Sequence, residues 1–281
     1  MRTLASAVFA LLALVLTAGA LSAVWVEENL VQEQGFVALA APLGDDPRFQ
    51  AALSDSLAAE VVGSAGLPGR ITDVIEPVIA DAASSVTGSA AYPSAWNETL
   101  RISHAVTFAG VPAGTGDAAP AALSLDLGPV ARLVADTAAS SLGIDVPVPS
   151  DTTVDIGSFE RGGLVRIVAD AAGNWPLIAG AAGICALLAV LIARRRGTTI
   201  ALLGCGVALI GLAGWFAASL VPGAAVAAAG QNGVAQVFAE GLAGRVALDL
   251  AESSLPVLVA GGIAVVIGGA LRLTLERSTR S

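Results

Sequence analysis

The side chains able to do chemistry in this chain are few. His104 is the single histidine, the residue type whose ordinary pKa lies nearest neutral pH. It shares an apolar stripe with Trp96, Leu100 and Phe108. The first reading is therefore a hydrogen-bonded core or edge histidine that ties its helix to a neighbour. A pH-sensing role, or pairing with a serine, is the functional reading, and His104 is the one weak functional candidate. A zinc site draws on three or four protein ligands. One histidine, with both cysteines (Cys185 and Cys205) inside apolar runs, leaves only carboxylates elsewhere. No metal, no cofactor and no catalytic residue are expected. The two cysteines stand equally far from Arg195, so an antiparallel hairpin would set them at similar depth, but a redox or copper site wants more soft ligands and the only methionine is Met1. Glu27-Glu28 reads as a solvated pair at a membrane edge and Asp45-Asp46 as a helix cap. The chain has neither a Walker-type glycine loop nor a Gly-x-Ser-x-Gly elbow.

The elements that carry these residues follow from composition. Hydrophobic residues make up 55% and charged residues 13% of the 281, against about 45–50% and about 25% in ordinary soluble domains. The excess is concentrated in four runs: Leu4 to Val26, Trp175 to Ala193, Thr198 to Val221, and Leu255 to Leu271. At about 1.5 Å per residue each approaches or exceeds a hydrocarbon core of about 30 Å. In lipid each must be helical, because unpaired backbone groups there cost several kcal/mol apiece. None of the runs carries an internal charge, which disfavours an ion path or proton relay. Pro222 and Pro256 fall at the ends of runs, unlike the broken half-helices of transporters. Small residues four apart (Ala179 and Gly183, Gly204 and Ala208, Ala264 and Gly268) would let spans approach closely.

Arginine placement gives a direction. The net charge is −9, and all 14 basic residues are Arg. Arg194, Arg195 and Arg196 fill the link between the second and third runs; Arg2 precedes the first; Arg272, Arg277 and Arg280 follow the fourth. Four crossings put all of these on one side, which the positive-inside rule makes the cytoplasm. Both termini are then cytoplasmic. Between Glu27 and Asp170 lie 19 of the 23 acidic residues and only 6 Arg; an acidic segment of that kind repels phosphate backbones, so nucleic acid is excluded as a partner. The first run also resembles a secretory signal, with small Ala18 and Ala20, but it continues to Val26, which favours a retained anchor.

The expected organisation is mainly α and membrane-bound: four transmembrane helices plus a mostly helical extracytoplasmic domain with a small β element. Residues 1–26 form the anchor, 27–174 the outer domain, and 175–281 a three-helix membrane region with an outer helical segment at 222–254. In the outer domain Asp45-Asp46-Pro47 reads as a helix start, with Phe49, Leu53, Leu57 and Val61 on one stripe. Gly63 to Gly69 breaks the pattern, and Ile71, Val74, Ile75, Val78, Ile79 and Ala82 mark a second helix. A third starts near Pro93. Gly110 to Pro120 reads as a loop. Leu123, Leu125 and Leu127 alternate with Ser124 and Asp126 as a half-buried strand. Pro129 opens another helix, Val146 to Gly157 is extended, and Ser158 caps a last helix through Phe159, Ile167 and Val168. In the shorter outer segment Val234, Phe238, Leu242 and Val246 mark an amphipathic helix. Its polar face shows Glu240, Asp249 and Glu252 against Arg245 alone, which favours docking on protein over lying on lipid.

Three segments, APLGDDPRFQAAL (Ala41 to Leu53), YPSAWNETLRISH (Tyr92 to His104) and LSLDLGPV (Leu123 to Val130), followed by the Arg-rich link, resemble a family of uncharacterised actinobacterial integral membrane proteins. The resemblance implies an N-terminal span, a helical extracytoplasmic domain and three further spans; it implies no activity and no site residues. With the bacterial source it implies, the Asn97-Glu98-Thr99 sequon carries no glycosylation reading. The expected function is that of an envelope protein embedded in the lipid bilayer, not an enzyme, whose outer domain serves interaction, sensing or assembly with envelope proteins or with itself. The alternative is a transporter, a pore or an accessory subunit of a transport complex.

Overall fold

The computed structural model describes residues 2–64, 69–109, 122–143, 152–158, 171–228 and 233–278. The protein is mainly helical, with one small two-stranded sheet. Four helices are long and apolar enough to cross a membrane, so this is a multi-pass membrane protein by the length and composition of its helices. The chain divides into two compact units. One holds residues 1–28, 167–221 and 246–281; the other holds 29–166 and 222–245. Residues 222–245 thus share a unit with residues 29–166.

The membrane unit is built from α1 (Arg2–Val26), α7 (Trp175–Ile192), α8 (Arg196–Ala228) as far as residue 221 and α9 (Gly233–Ser278) from residue 246. Large side chains point outward: Leu4, Leu177 and Val266 are each more than 70% exposed. Small side chains point inward. On α1 the buried Ser6, Ala13 and Ala20 recur every seventh residue, as do Ala182 and Ala189 on α7. The start of α1 meets the end of α7, where Ser6 Oγ donates to the Ala189 carbonyl at 2.8 Å. The two helices pack along their lengths. Helices α8 and α9 pair by the same device. A methyl group added at Gly204 would stand 2.7 Å from the Val265 amide, and one at Gly211 would stand 2.7 Å from the Leu258 amide. Gly261 and Gly268 face the Ala208 and Ala201 amides with even less room. A seven-residue repeat of small residues keeps one stripe on the partner when helices wind gently left-handed, and in lipid such close backbone packing replaces the hydrophobic drive that water would supply. Two of the small pairs read from the sequence lie on this seam. The third does not: Gly183 has open space around it, and Ala182 and Ala189 carry the contact instead.

The prolines correct the expected span ends. Pro222 lies inside the 33-residue α8 and Pro256 inside the 46-residue α9. The amphipathic segment and the fourth span are thus one helix. Each proline removes one amide donor, but the helix-forming residues on both sides outweigh that loss, and neighbouring groups re-satisfy a freed carbonyl in membrane helices. Cys185 is half-buried and Cys205 exposed, and both are free thiols. At the end of α1, Trp25 Nε1 donates to Asp249 Oδ2 on α9 at 2.6 Å.

A π-helical turn, Glu27–Val31, leads into the other unit, which starts at residue 29 and continues with α2 (Glu33–Ala40) and a 3-10 turn, Ala41–Asp45. Helices α3 (Pro47–Ser64), α4 (Gly69–Val86), α5 (Tyr92–Ala109) and α6 (Gly128–Leu142) pack on one another, and strand β1 (Ala122–Asp126), paired with β2 (Thr153–Ser158), lies against α5. As expected from its acidic cap, α3 starts where Asp46 Oδ1 accepts the amides of Arg48 at 2.8 Å and Phe49 at 3.4 Å. α6 ends on Gly143, whose φ of 69° is a left-handed cap that glycine adopts without strain. The strands pair antiparallel with a bulge between Leu123 and Ser124. Two strand expectations change. Ser124 is buried and not on a wet face, and Asp126 is half-buried, because β1 lies against α5. Ser158 is the last residue of β2, and the helix it is expected to cap lies outside the described residues. The expected loop from Gly110 to Pro120 and the expected helix with Phe159, Ile167 and Val168 fall outside the described residues.

The core of this unit is aromatic. Phe49, Trp96 and Phe238 form a ring cluster with centroids 5.0 to 6.2 Å apart, the spacing at which tilted aromatic pairs attract. Phe238 comes from the first part of α9, with Val234 and Ala235 also buried. That amphipathic helix docks on protein, as its polar face suggested.

Candidate functional site

Helix α5 gathers the candidate residues because its buried face is polar at intervals. Tyr92, Trp96, Thr99, Leu100, Ser103 and His104 are all buried. His104 is 8% exposed, and its Nε2 lies 3.2 Å from the Leu30 carbonyl and 3.0 Å from the Val31 carbonyl. Both neighbours are acceptors, so Nε2 carries the hydrogen and shares it between them. The need for that donor arises locally. The π-helical turn stops at Val31, and Gln32 turns extended, with ψ of 126°, so the last carbonyls of the helix lose their next-turn amides. The ring also packs on Phe36 at 5.4 Å. His104 thus fastens α5 to the turn that follows the first span.

Ser103 is engaged in the same way. Its Oγ donates to the Thr99 carbonyl at 2.6 Å and accepts the Asp126 amide at 2.9 Å. Asp126 Oδ1 accepts the Gly128 amide and the Thr152 hydroxyl, each at 2.9 Å, closing the turn from β1 into α6. A serine, a histidine and an aspartate therefore lie in one region, and each makes at least one hydrogen bond to backbone. Sequence reading marked His104 and missed Ser103 and Asp126. The available signal was the four-residue step from Thr99 to Ser103 on the stripe's edge.

Gly44 is the other position missed. Trp96 Nε1 donates to the Ala41 carbonyl at 3.1 Å, and its ring lies on Gly44, where an added methyl would stand 2.5 Å from Cδ1. Only glycine admits the indole there. Tyr92 lies at the head of α5 with its hydroxyl buried and without a partner among the described residues. Burial, and secondarily the Asp45 carboxylate, push its phenol well above the usual range, so it stays neutral. The segments APLGDDPRFQAAL, YPSAWNETLRISH and LSLDLGPV thus meet in one core: Gly44 and Phe49 hold Trp96, and Ser103 holds Asp126. Thr99, the last residue of the sequon, is fully buried. Among the described residues no three His, Cys, Asp or Glu side chains converge as a metal site would need.

The fold defines a mainly helical protein with four helices suited to cross a membrane and one separately packed helical unit. No protein-family model, curated protein or solved structure matches the chain.

Proposed function

We propose that this is a multi-pass protein of the cell membrane, with both termini in the cytoplasm, whose outer unit is a docking or assembly module for envelope proteins or for a second copy, and which catalyses nothing itself. The observation that carries this reading is how the polar side chains are spent. His104, Ser103 and Asp126, the groups best suited to acid–base or nucleophilic work, hold backbone atoms of their own unit. Among the described residues the two helix pairs of the spans close on Gly, Ala and Ser. The exposed large apolar side chains add to it. Nearly all of those described lie in the membrane unit; Val106 and Val226 belong to the other, whose described surface is otherwise fit for water.

The test is cross-linking in cells followed by purification in a mild detergent. A discrete cross-linked neighbour or a self-assembled species is expected. Monomer alone, with no neighbour captured, overturns the proposal. Orientation is tested by single cysteines at Ser158 and Arg195 in a background where Cys185 and Cys205 are alanine. An impermeant thiol reagent applied to whole cells should label the first and spare the second; the reverse pattern would invert the topology.

A further inference from the structure

One cavity in the membrane unit has no part in that reading. About 300 Å³ of open space lies where the start of α1, the end of α7 and the start of α8 meet. Its polar wall is made by Thr3, Thr198, Thr199 and the pair Arg194 and Arg195. Neither arginine has an acidic partner among the described residues, and the sequence has no Asp or Glu from residue 171 to residue 239 or before residue 27. Thr198 Oγ1 is buried and lacks a hydrogen-bond partner. An orphaned buried hydroxyl beside two unpaired guanidinium groups is a set of donors waiting for an acceptor. The remaining wall is apolar, with Ala10 and Leu202 leading down the outward faces of their helices.

We propose that this cavity binds the phosphodiester of an anionic phospholipid. The guanidinium groups present planar, bidentate donors to phosphate oxygens, Thr198 supplies a neutral donor, and the apolar side takes the glycerol and the first methylenes. The site stands at the end of the spans, the level at which headgroups lie, and basic pockets between membrane helices recognise such groups. The shared chemistry would admit inorganic phosphate as well, but the apolar wall has no use in holding a free ion, so the lipid is the occupant. This site is independent of what the outer unit binds.

The test uses the full chain purified in a neutral detergent, where no charged membrane surface attracts basic residues in bulk. Thermal unfolding is followed while short-chain phosphatidylglycerol, phosphatidylcholine or inorganic phosphate is titrated in. Saturable stabilisation is expected with phosphatidylglycerol alone. Each arginine near an anionic headgroup contributes about fivefold in affinity, so the double variant R194Q/R195Q should bind about thirtyfold more weakly. Both side chains are exposed, so its unfolding without lipid should stay unchanged. Thr198→Val should weaken binding by a smaller factor. R277Q/R280Q removes two charges near the C-terminus of the sequence and should bind as the parent does. Equal stabilisation by phosphatidylcholine, an equal response to inorganic phosphate, or an equal loss in R277Q/R280Q would each overturn the proposal.

Discussion

His104 makes a hydrogen-bonded tie between its helix and a neighbour, the role its place on an apolar stripe first suggests. Its ring nitrogen stands where two carbonyls have lost their helical donors, and leaving such groups buried and unmet costs about 1–3 kcal/mol. His104→Phe keeps the ring against Phe36 and removes the donor. It should lower stability by about that amount, and amide exchange should quicken in residues 27–36 before it does elsewhere. His104→Gln, whose amide can donate, should recover part of the loss. Unchanged exchange in the phenylalanine variant would mean that water serves those carbonyls and that the imidazole donor does not hold the turn. The sequence made the stripe of Trp96, Leu100 and His104 visible because helical periodicity is local. It could not show Leu30 and Val31, because their need for a donor comes from a π-helical turn and an extended Gln32 that no composition signal marks.

At the level of elements, the spans were legible and their seams were not. Runs without charge identify membrane helices because burial in lipid selects on hydropathy alone. Which face of a span is internal depends on shape, and in a chain with 32 glycines a four-residue step occurs on many faces. The structure selects the seven-residue series: Gly197, Gly204 and Gly211 against Gly261 and Gly268. Adjacent glycines on α9 separate packing from propensity. A methyl group at Gly261 would press on the Ala208 amide, whereas one at Gly262 meets nothing within 4 Å. Gly261→Ala should therefore force the helices apart and destabilise by about 1–3 kcal/mol. Gly262→Ala should be neutral or stabilise by up to about 1 kcal/mol, since alanine loses less backbone freedom in a helix. Thermal unfolding in one detergent compares the two directly, and equal effects would remove close packing as the cause. The continuity of α8 and α9 was hidden for a related reason. Proline marks helix ends in water, but the residues flanking Pro222 and Pro256 keep the helix whole.

At the scale of the whole molecule, the division into units does not follow the order of the chain. Residues 222–245 complete a core begun by residues 29–166, and the link is aromatic, since Phe238 lies 5.9 Å from Phe49 and 6.2 Å from Trp96. Phe238 also sits on a helix that runs on into the fourth candidate span. The sequence could assign Phe238 to an apolar face but not to a partner, because its neighbours are more than a hundred residues away along the chain. Truncating a buried phenylalanine to alanine costs about 3–5 kcal/mol, a large share of the roughly 5–15 kcal/mol that stabilises a domain. Phe238→Ala should thus loosen one unit and leave the other in place. Hydrogen exchange on the full chain in detergent would show faster exchange in peptides from α3 and α5. Peptides from residues 4–26 and 177–192, whose seam of Ser6, Ala13, Ala182 and Ala189 contains no part of the aromatic cluster, should exchange as in the parent. If protection fell equally in both sets, the two units would be a single cooperative body, and the aromatic cluster would be holding the membrane helices as well as its own core.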